Sequence, residues 1–203
     1  MSWYLTGDET ADALLADDAL ALLIGMVLDQ QVPMERAFSA PRDLYDRLGG
    51  RLDVGEIATM DHDKLVAAFS ERPALHRFPA SMAERVQAVA GIVVDQYGGD
   101  AGAIWNTAAD GSELLKRLRA LPGFGEQKAK IFMALLAKRL GVQPPGWEKV
   151  TGPFGKKGSY VSVADIDSPE AMQRVRAHKR DMKAAAKAAA EPSAKASTVP
   201  AKS

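Results

Sequence analysis

The chain has 203 residues and no cysteine, and 47% of its residues are hydrophobic against 26% charged. This composition is that of a folded domain with a buried core, and it excludes a disordered or collagen-like chain. The absence of cysteine excludes disulfides, iron–sulfur clusters, zinc-thiolate sites and cysteine nucleophiles. The longest apolar run, residues 19–28, is far shorter than a membrane span. The first residues also lack the basic segment followed by an apolar segment that is typical of a secretion signal. We therefore expect a soluble, cytoplasmic protein without a membrane partner.

The net charge of zero conceals an asymmetry between the two halves of the chain. Residues 1–110 carry 8 Lys and Arg against 18 Asp and Glu, whereas residues 111–203 carry 18 against 8. The basic second half predicts an anionic partner, with nucleic acid as the first candidate. Charge alone leaves a second interpretation open, because Lys-rich helices and tails are often simply solvated.

Helical patterns occupy most of the chain. Residues 19–28 are apolar on all sides, which predicts a buried helix that ends before Pro33. No alternating strand pattern occurs, so the predicted fold class is all-α, and the residues beyond about Ala190 are predicted to form a disordered tail. The further helices are predicted over residues 34–39, 41–48, 53–59, 61–70, 81–97, 112–119, 126–140 and 168–189.

One short motif between two predicted helices carries chemical information. Residues 121–125 (LPGFG) contain two glycines spaced by one residue, which permit a tight turn and a close approach to another surface. The unpaired N–H groups of the helix that follows lie beside the glycine amides and suit a phosphate group. Lys128 and Lys130 oppose the helix dipole in its first turns, which a polyanionic partner would explain. A bare motif of this kind is more often an ordinary corner between two helices.

Residues 121–129 (LPGFGEQKA) resemble the helix–hairpin–helix of the HhH-GPD DNA glycosylase superfamily, which includes endonuclease III and the alkyladenine glycosylases. Residues 28–33 (LDQQVP) resemble that superfamily's other signature, a helix end from which a glutamine enters the duplex. The order and separation of the two motifs also match. The resemblance spans about residues 15–140, with a looser match over 160–182.

This resemblance implies a two-lobed helical fold with a DNA-binding cleft into which a base is flipped from double-stranded DNA. One lobe would be residues 19–140, containing the hairpin at 112–139, and the other residues 1–18 with 141–189. A monomer without an iron–sulfur cluster is expected, with a monovalent cation on the hairpin carbonyls as its one candidate cofactor and the nucleoid as its location. The expected DNA-binding residues are Gln30, Gln31, Leu121, Gly123, Phe124, Gly125, Gln127, Lys128, Lys130, Lys156 and Lys157.

The residue after Glu126 bears on the reaction type. Bifunctional members of the superfamily carry a Schiff-base lysine two residues after the second hairpin glycine, and here that residue is Gln127. Lys128 points about 100° around the helix from it, so it is no direct substitute. The prediction is a monofunctional glycosylase that only hydrolyses the bond between base and sugar. Gln31 matches the inserted glutamine, with capping of the preceding helix as its alternative role.

The catalytic carboxylate is where the sequence departs from the superfamily. The Val-Asp-Thr-His motif of endonuclease III-like chains has no counterpart in residues 143–148, and the nearest resemblance is Asp165, followed by Asp167. A carboxylate is needed to stabilise an oxocarbenium-like sugar and to orient water. We therefore expect Asp165 to be the catalytic carboxylate, with Asp167 as the second choice. Either residue could instead cap a helix, and Asp29 and Glu148 are further candidates.

Two other groups of residues lead to weaker hypotheses. Aromatic residues alternate with Lys156, Lys157 and Lys149 in the Pro/Gly-rich connection at 143–160, a pattern that suits nucleic acid or merely anchors a loop. The basic helix at 174–187 is either a solvated face or an electrostatic contact with DNA. The histidines lack metal-ligand spacing, so no metal site is predicted. The alternatives to a glycosylase are a non-catalytic DNA-binding protein on the same scaffold and a protein-interaction domain.

Overall fold

The computed structural model describes residues 3–190, and the predicted tail beyond residue 190 lies outside the described residues. Residues 3–190 contain no strand, which confirms the all-α prediction, and none of their helices is long and apolar enough to cross a membrane. Short 3₁₀ turns cover Gly152–Gly155 and Val163–Asp165. The helices are α1 (Glu9–Asp17), α2 (Ala19–Leu28), α3 (Met34–Arg47), α4 (Val54–Thr59), α5 (His62–Ser70), α6 (Pro79–Tyr97), α7 (Ala103–Asn106), α8 (Gly111–Arg119), α9 (Glu126–Arg139), α10 (Trp147–Thr151) and α11 (Pro169–Ala190).

Helix α2 lies at the centre of the molecule, as its uniformly apolar sequence predicts. Asp18 caps its first turn through hydrogen bonds to the amides of Leu20 and Ala21, and every residue from Leu20 to Leu28 is buried. Helices α1, α3 and α6 pack around it. Gly25 permits the contact with α3, since a Cβ at this position would lie 2.8 Å from the ring of Phe38.

The structure corrects the prediction of two helices over 34–39 and 41–48. One continuous helix, α3, runs from Met34 to Arg47 with Pro41 buried inside it. A proline at this position removes one hydrogen bond to the carbonyl of Ala37 and usually breaks a helix. Here the burial of apolar residues on both sides of Pro41, including Phe38 and Leu44, holds the two halves together against α2.

The hairpin is formed by α8 and α9, which pack against each other. Asp110 caps α8, and the apolar residues of both helices face the core. Phe132 of α9 is fully buried, meets the ring of Trp105 edge-on at 5.7 Å and lies 5.8 Å from the ring of Phe124 in the turn. These aromatic contacts fix the position of the hairpin turn relative to the core.

The chain after α9 folds back onto the hairpin helices. Helix α10 packs on α8 and α9, and the 3₁₀ turn at 163–165 packs on α9 before α11 begins. Most of the buried apolar residues from Trp3 to Val175 form one connected cluster. The division into two lobes at residues 18/19 and 140/141 stays a prediction.

Replacing Phe132 with alanine should destabilise the protein. The variant removes a fully buried ring between Trp105 and Phe124, so the free energy of unfolding should fall by about 3–5 kcal/mol in urea denaturation. Gln127→Ala on the exposed face of the same helix is the matched control and should stay within about 0.5 kcal/mol of the original protein. Equal effects of the two substitutions would contradict the aromatic packing of the hairpin.

Candidate nucleic-acid interface

The hairpin turn exposes backbone amides. Gly123 has a left-handed φ of 85°, which favours glycine, and Gly125 is the N-cap of α9 without any side-chain hydrogen bond to the helix. Both glycines are exposed, and a Cβ at residue 125 would meet no atom within 4 Å. Leu121 and Phe124 are buried, so their side chains hold the turn from inside. The first N–H groups of α9 thus face an open surface that suits an anion.

The two glutamines after α2 occupy different environments. The side-chain Nε2 of Gln30 donates to the backbone carbonyl of Val27 at 2.8 Å. The backbone carbonyl of Gln30 lies 2.7 Å from Nε2 of His76. The amide of Phe78 donates to Nδ1 of His76, so the proton is assigned to Nε2, which donates to Gln30. Gln31 is exposed, has a left-handed φ of 56°, and forms no side-chain hydrogen bond within residues 3–190. Gln30 therefore anchors the loop, and Gln31 is displayed at its tip.

Arg85 of α6 joins this loop to the hairpin, and the sequence analysis missed it. Its NH1 donates to Oε1 of Gln30 at 2.8 Å. Its Cδ would lie 2.6 Å from a Cβ on Gly123, so the absence of a side chain there admits the arginine against the turn. No local pattern in the sequence marks Arg85, because its contacts join residues far apart in the chain.

Lys128 does not extend from the hairpin toward solvent. Its half-buried Nζ donates to the carbonyls of Met26 (2.9 Å) and Val27 (3.2 Å) at the end of α2. Burial lowers its pKa to about 8, with Arg85 acting in the same direction and Asp29 opposing it. A cation at a helix C-terminus is favourable, so Lys128 fastens the end of α2 to α9.

The other predicted residues of the hairpin lie on its outer side. Gln127 is exposed. Lys130 pairs with Glu126 at 2.6 Å, and this hydrogen bond lowers the pKa of the Glu126 carboxyl. Arg119 of α8 lies 4.0 Å from the same carboxylate. The structure thus brings together the loop at 28–33, Arg85 and the hairpin, but only part of their positive charge faces solvent.

The remaining predicted site residues surround a cavity of about 780 Å³ at the far end of α9. Its wall contains two large aromatic side chains, Trp147 and Tyr160, and more basic than acidic residues. The basic residues are Lys138, Arg139, Lys149, Lys156 and Lys157, and the acidic residues are Glu148, Asp165 and Asp167.

Asp165 and Asp167 differ in their surroundings. The side chain of Asp165 is 2% exposed and pairs with Lys138 at 2.6 Å. It also accepts hydrogen bonds from the Ser159 hydroxyl and from the amides of Val161 and Ser162. These donors tie the segment at 159–165 to α9. Asp167 is exposed just before α11, and Arg139 is the cation that it faces.

The hairpin and the cavity lie at opposite ends of α9, about 20 Å apart for the 13 residues from Gly125 to Lys138. Helix α11 contacts both the cavity wall and α3, the helix that follows the loop at residues 28–33. The guanidinium of Arg174 lies 4.8 Å from the centre of the Tyr160 ring in the cavity wall, and Arg176 donates to Glu35 at 2.6 Å. Glu35 lies near the start of α3, four residues after Gln31.

Metal binding has no candidate residues in the described part of the chain, where no three His, Asp or Glu side chains converge. The monovalent cation expected on the hairpin carbonyls stays a prediction. The sequence itself excludes an iron–sulfur cluster, since it contains no cysteine.

The pH dependence of stability should reveal the buried ammonium of Lys128. Its pKa falls from 10.5 to about 8 on folding, so between these pH values the unfolded chain binds more protons than the folded one. Stability contributed by this group therefore rises with pH across that window. Between pH 7 and 10 the original protein should gain about 1–3 kcal/mol relative to Lys128→Met, measured by urea denaturation. Parallel curves for the two proteins would contradict the burial of this charge.

Comparisons with known proteins identify the family. The protein-family model described as "HhH-GPD superfamily base excision DNA repair protein" matches residues 24–195 of this chain. A trapped endonuclease III–DNA covalent intermediate (estranged-adenine complex) has a TM-score of 0.44 and 18% identity, covering 66% of this chain and 57% of that chain. A non-covalent endonuclease III–DNA complex has a TM-score of 0.44 and 16% identity, and the match covers 86% of this chain and 72% of that chain. This chain thus spans less than two thirds of the first of these structures, and no curated protein matches it. Because the family match covers most of the sequence, the chain belongs to the HhH-GPD superfamily of base excision DNA repair proteins.

Proposed function

We propose that the protein is a monofunctional DNA glycosylase, which hydrolyses the N-glycosidic bond of a damaged or mismatched base flipped out of duplex DNA. Water attacks C1′ of the sugar, the base leaves with a proton, and an abasic site remains. The observation that carries this proposal is the position of the exposed Gln31 beside the hairpin turn, joined to it through Gln30 and Arg85.

The hairpin supplies the first contact with DNA. The exposed amides near Gly123 and Gly125 suit a backbone phosphate, and such contacts fix the register of the duplex without reading its sequence. Arg85 adds a positive charge beside the turn. A monovalent cation on the hairpin carbonyls would contribute a further positive charge to the same phosphate.

Gln31 enters the duplex and fills the space that the flipped base leaves. A left-handed φ costs a residue other than glycine about 1–3 kcal/mol, and such strain persists only where its surroundings impose it. Here Gln30 is bound by His76, Arg85 and its own helix, which leaves Gln31 at the tip of a fixed loop. A loop that is already ordered loses less entropy when it enters DNA than a mobile one.

The cavity beside α11 receives the flipped base. Its volume of about 780 Å³ lies within the range of small-molecule sites, and Trp147 and Tyr160 offer surfaces for stacking. Asp167 and Glu148 are the exposed carboxylates of its wall, and of the two we propose Asp167, whereas the four donors around Asp165 give that side chain a structural role.

The absence of a covalent amine route supports hydrolysis. Gln127 replaces the lysine of bifunctional relatives, and the Nζ of Lys128 is bound to two carbonyls of α2. The alternative function is a DNA-binding protein without catalysis, which the structural role of Asp165 favours. A panel of lesion-containing duplexes separates the two functions, because only a glycosylase leaves an abasic product that alkali cleaves.

Replacing Gly125 with aspartate should stabilise the protein and weaken DNA binding at once. A Cβ at this position meets no atom within 4 Å, and Asp is a slightly better N-cap than Gly, so the free energy of unfolding should rise by about 0.3 kcal/mol. The new carboxylate repels a phosphate at the turn, so affinity for duplex DNA should fall at least tenfold for every sequence. Gly125→Ser, a neutral N-cap, is the control and should bind within a few-fold of the original protein. Unchanged affinity of a folded Gly125→Asp variant would remove the hairpin from the interface.

Three acid-to-amide variants should locate the catalytic carboxylate in single-turnover excision assays. Asp167→Asn should lower the excision rate by about 100-fold or more, with stability and DNA affinity retained. Asp165→Asn should lose about 3 kcal/mol of stability, because it leaves Lys138 without its ionic partner. Full excision by Asp167→Asn together with a loss in Asp29→Asn would move the active site to the hairpin loop.

A further inference from the structure

Helix α11 continues well beyond the part that packs on the protein. Its first turns are anchored by the buried Ala171 and Val175 and by the contacts of Arg174 and Arg176. From Lys179 to Ala188 every residue is exposed. Nothing in the described part of the chain therefore accounts for the position of this segment, which spans about 14 Å at 1.5 Å per residue.

The exposed segment carries a row of positive charge. Lys179, Lys183 and Lys187 are spaced by four residues and so lie along one side of the helix. None of them forms an ion pair within residues 3–190, and Asp181 is the only acidic residue between Lys179 and Lys187. Like charges at this spacing repel one another and destabilise a helix in isolation. A bound polyanion would remove that penalty.

The segment is suited to a charged partner and not to an apolar one. The three residues between Lys183 and Lys187 are alanine, which has the highest helix propensity, and this favours a stable helix under the row. Met182 is the one large apolar side chain exposed along it. A helix that binds a membrane surface or a protein groove needs a continuous apolar face, which this segment lacks.

We propose that Lys179, Lys183 and Lys187 bind the phosphate backbone of the duplex that flanks the base-excision site. This inference rests on the proposed function, because it takes Gln31 and the hairpin as the central contacts. Helix α11 begins at the cavity and passes Glu35, four residues after Gln31, so its exposed end continues from that surface. The row of lysines spans about 12 Å, which corresponds to three to four base-pair steps of duplex.

The test uses the full chain with Lys179→Gln, Lys183→Gln and Lys187→Gln combined, since glutamine retains helix propensity. The probes are duplexes of 10 to 30 base pairs with a central tetrahydrofuran abasic analogue, and the affinity is measured over a series of KCl concentrations. The control combines Arg51→Gln, Lys64→Gln and Arg72→Gln, exposed cations of the acidic half.

On long duplexes, the slope of log affinity against log salt concentration should become shallower by about 2–3 for the α11 variant and change little for the control. On the shortest duplex the α11 variant should bind like the original protein. The corresponding Lys→Arg triple variant should keep the original slope. An unchanged slope in the glutamine variant, or an equal change in the control, would overturn the proposal. Failure of the proposed function would appear separately, as a panel of lesion duplexes that yields no product cleaved by alkali.

Discussion

The carboxyl end of α2 is the point on which the candidate site depends. The ammonium of Lys128, from α9, donates to its last carbonyls, and Arg85, from α6, holds the glutamine that follows. Three helices distant in sequence meet there through charged hydrogen bonds at a helix end where cations are favourable. The loop of Gln31 and the turn of the hairpin share these supports, so a shift of α2 would move both.

The burial of this positive charge shapes the electrostatics of the surface. Lys128 and Arg85 donate hydrogen bonds to carbonyl oxygens within the protein, which partly compensates their charges. Lys130 is paired with Glu126. Lys179, Lys183 and Lys187 on the exposed part of α11 form no ion pair within the described residues, whereas Lys138 is paired with Asp165 at the cavity. A net charge near zero therefore coexists with a strongly basic protruding helix.

Local signals in the sequence were sufficient for the buried α2, the hairpin and the all-α class, because caps, glycines and apolar periodicity act over a few residues. The continuity of α3 through Pro41 was not predictable in this way, since tertiary burial decided it. The same holds for the site: the bridge from Arg85 to Gln30 joins residues 55 apart in sequence. The different environments of Asp165 and Asp167 depend on Lys138 and Ser159, which only the folded chain brings together.

The length of α9 has a consequence for the mechanics of the candidate site. Its first turn is fixed to α2 by Lys128, and its last turn is fixed to the segment at 159–165 by Lys138. Between these two attachments the helix is a rigid bar of about 20 Å from the hairpin turn to the cavity. A tilt of α9 about its middle would therefore displace these two surfaces in opposite directions.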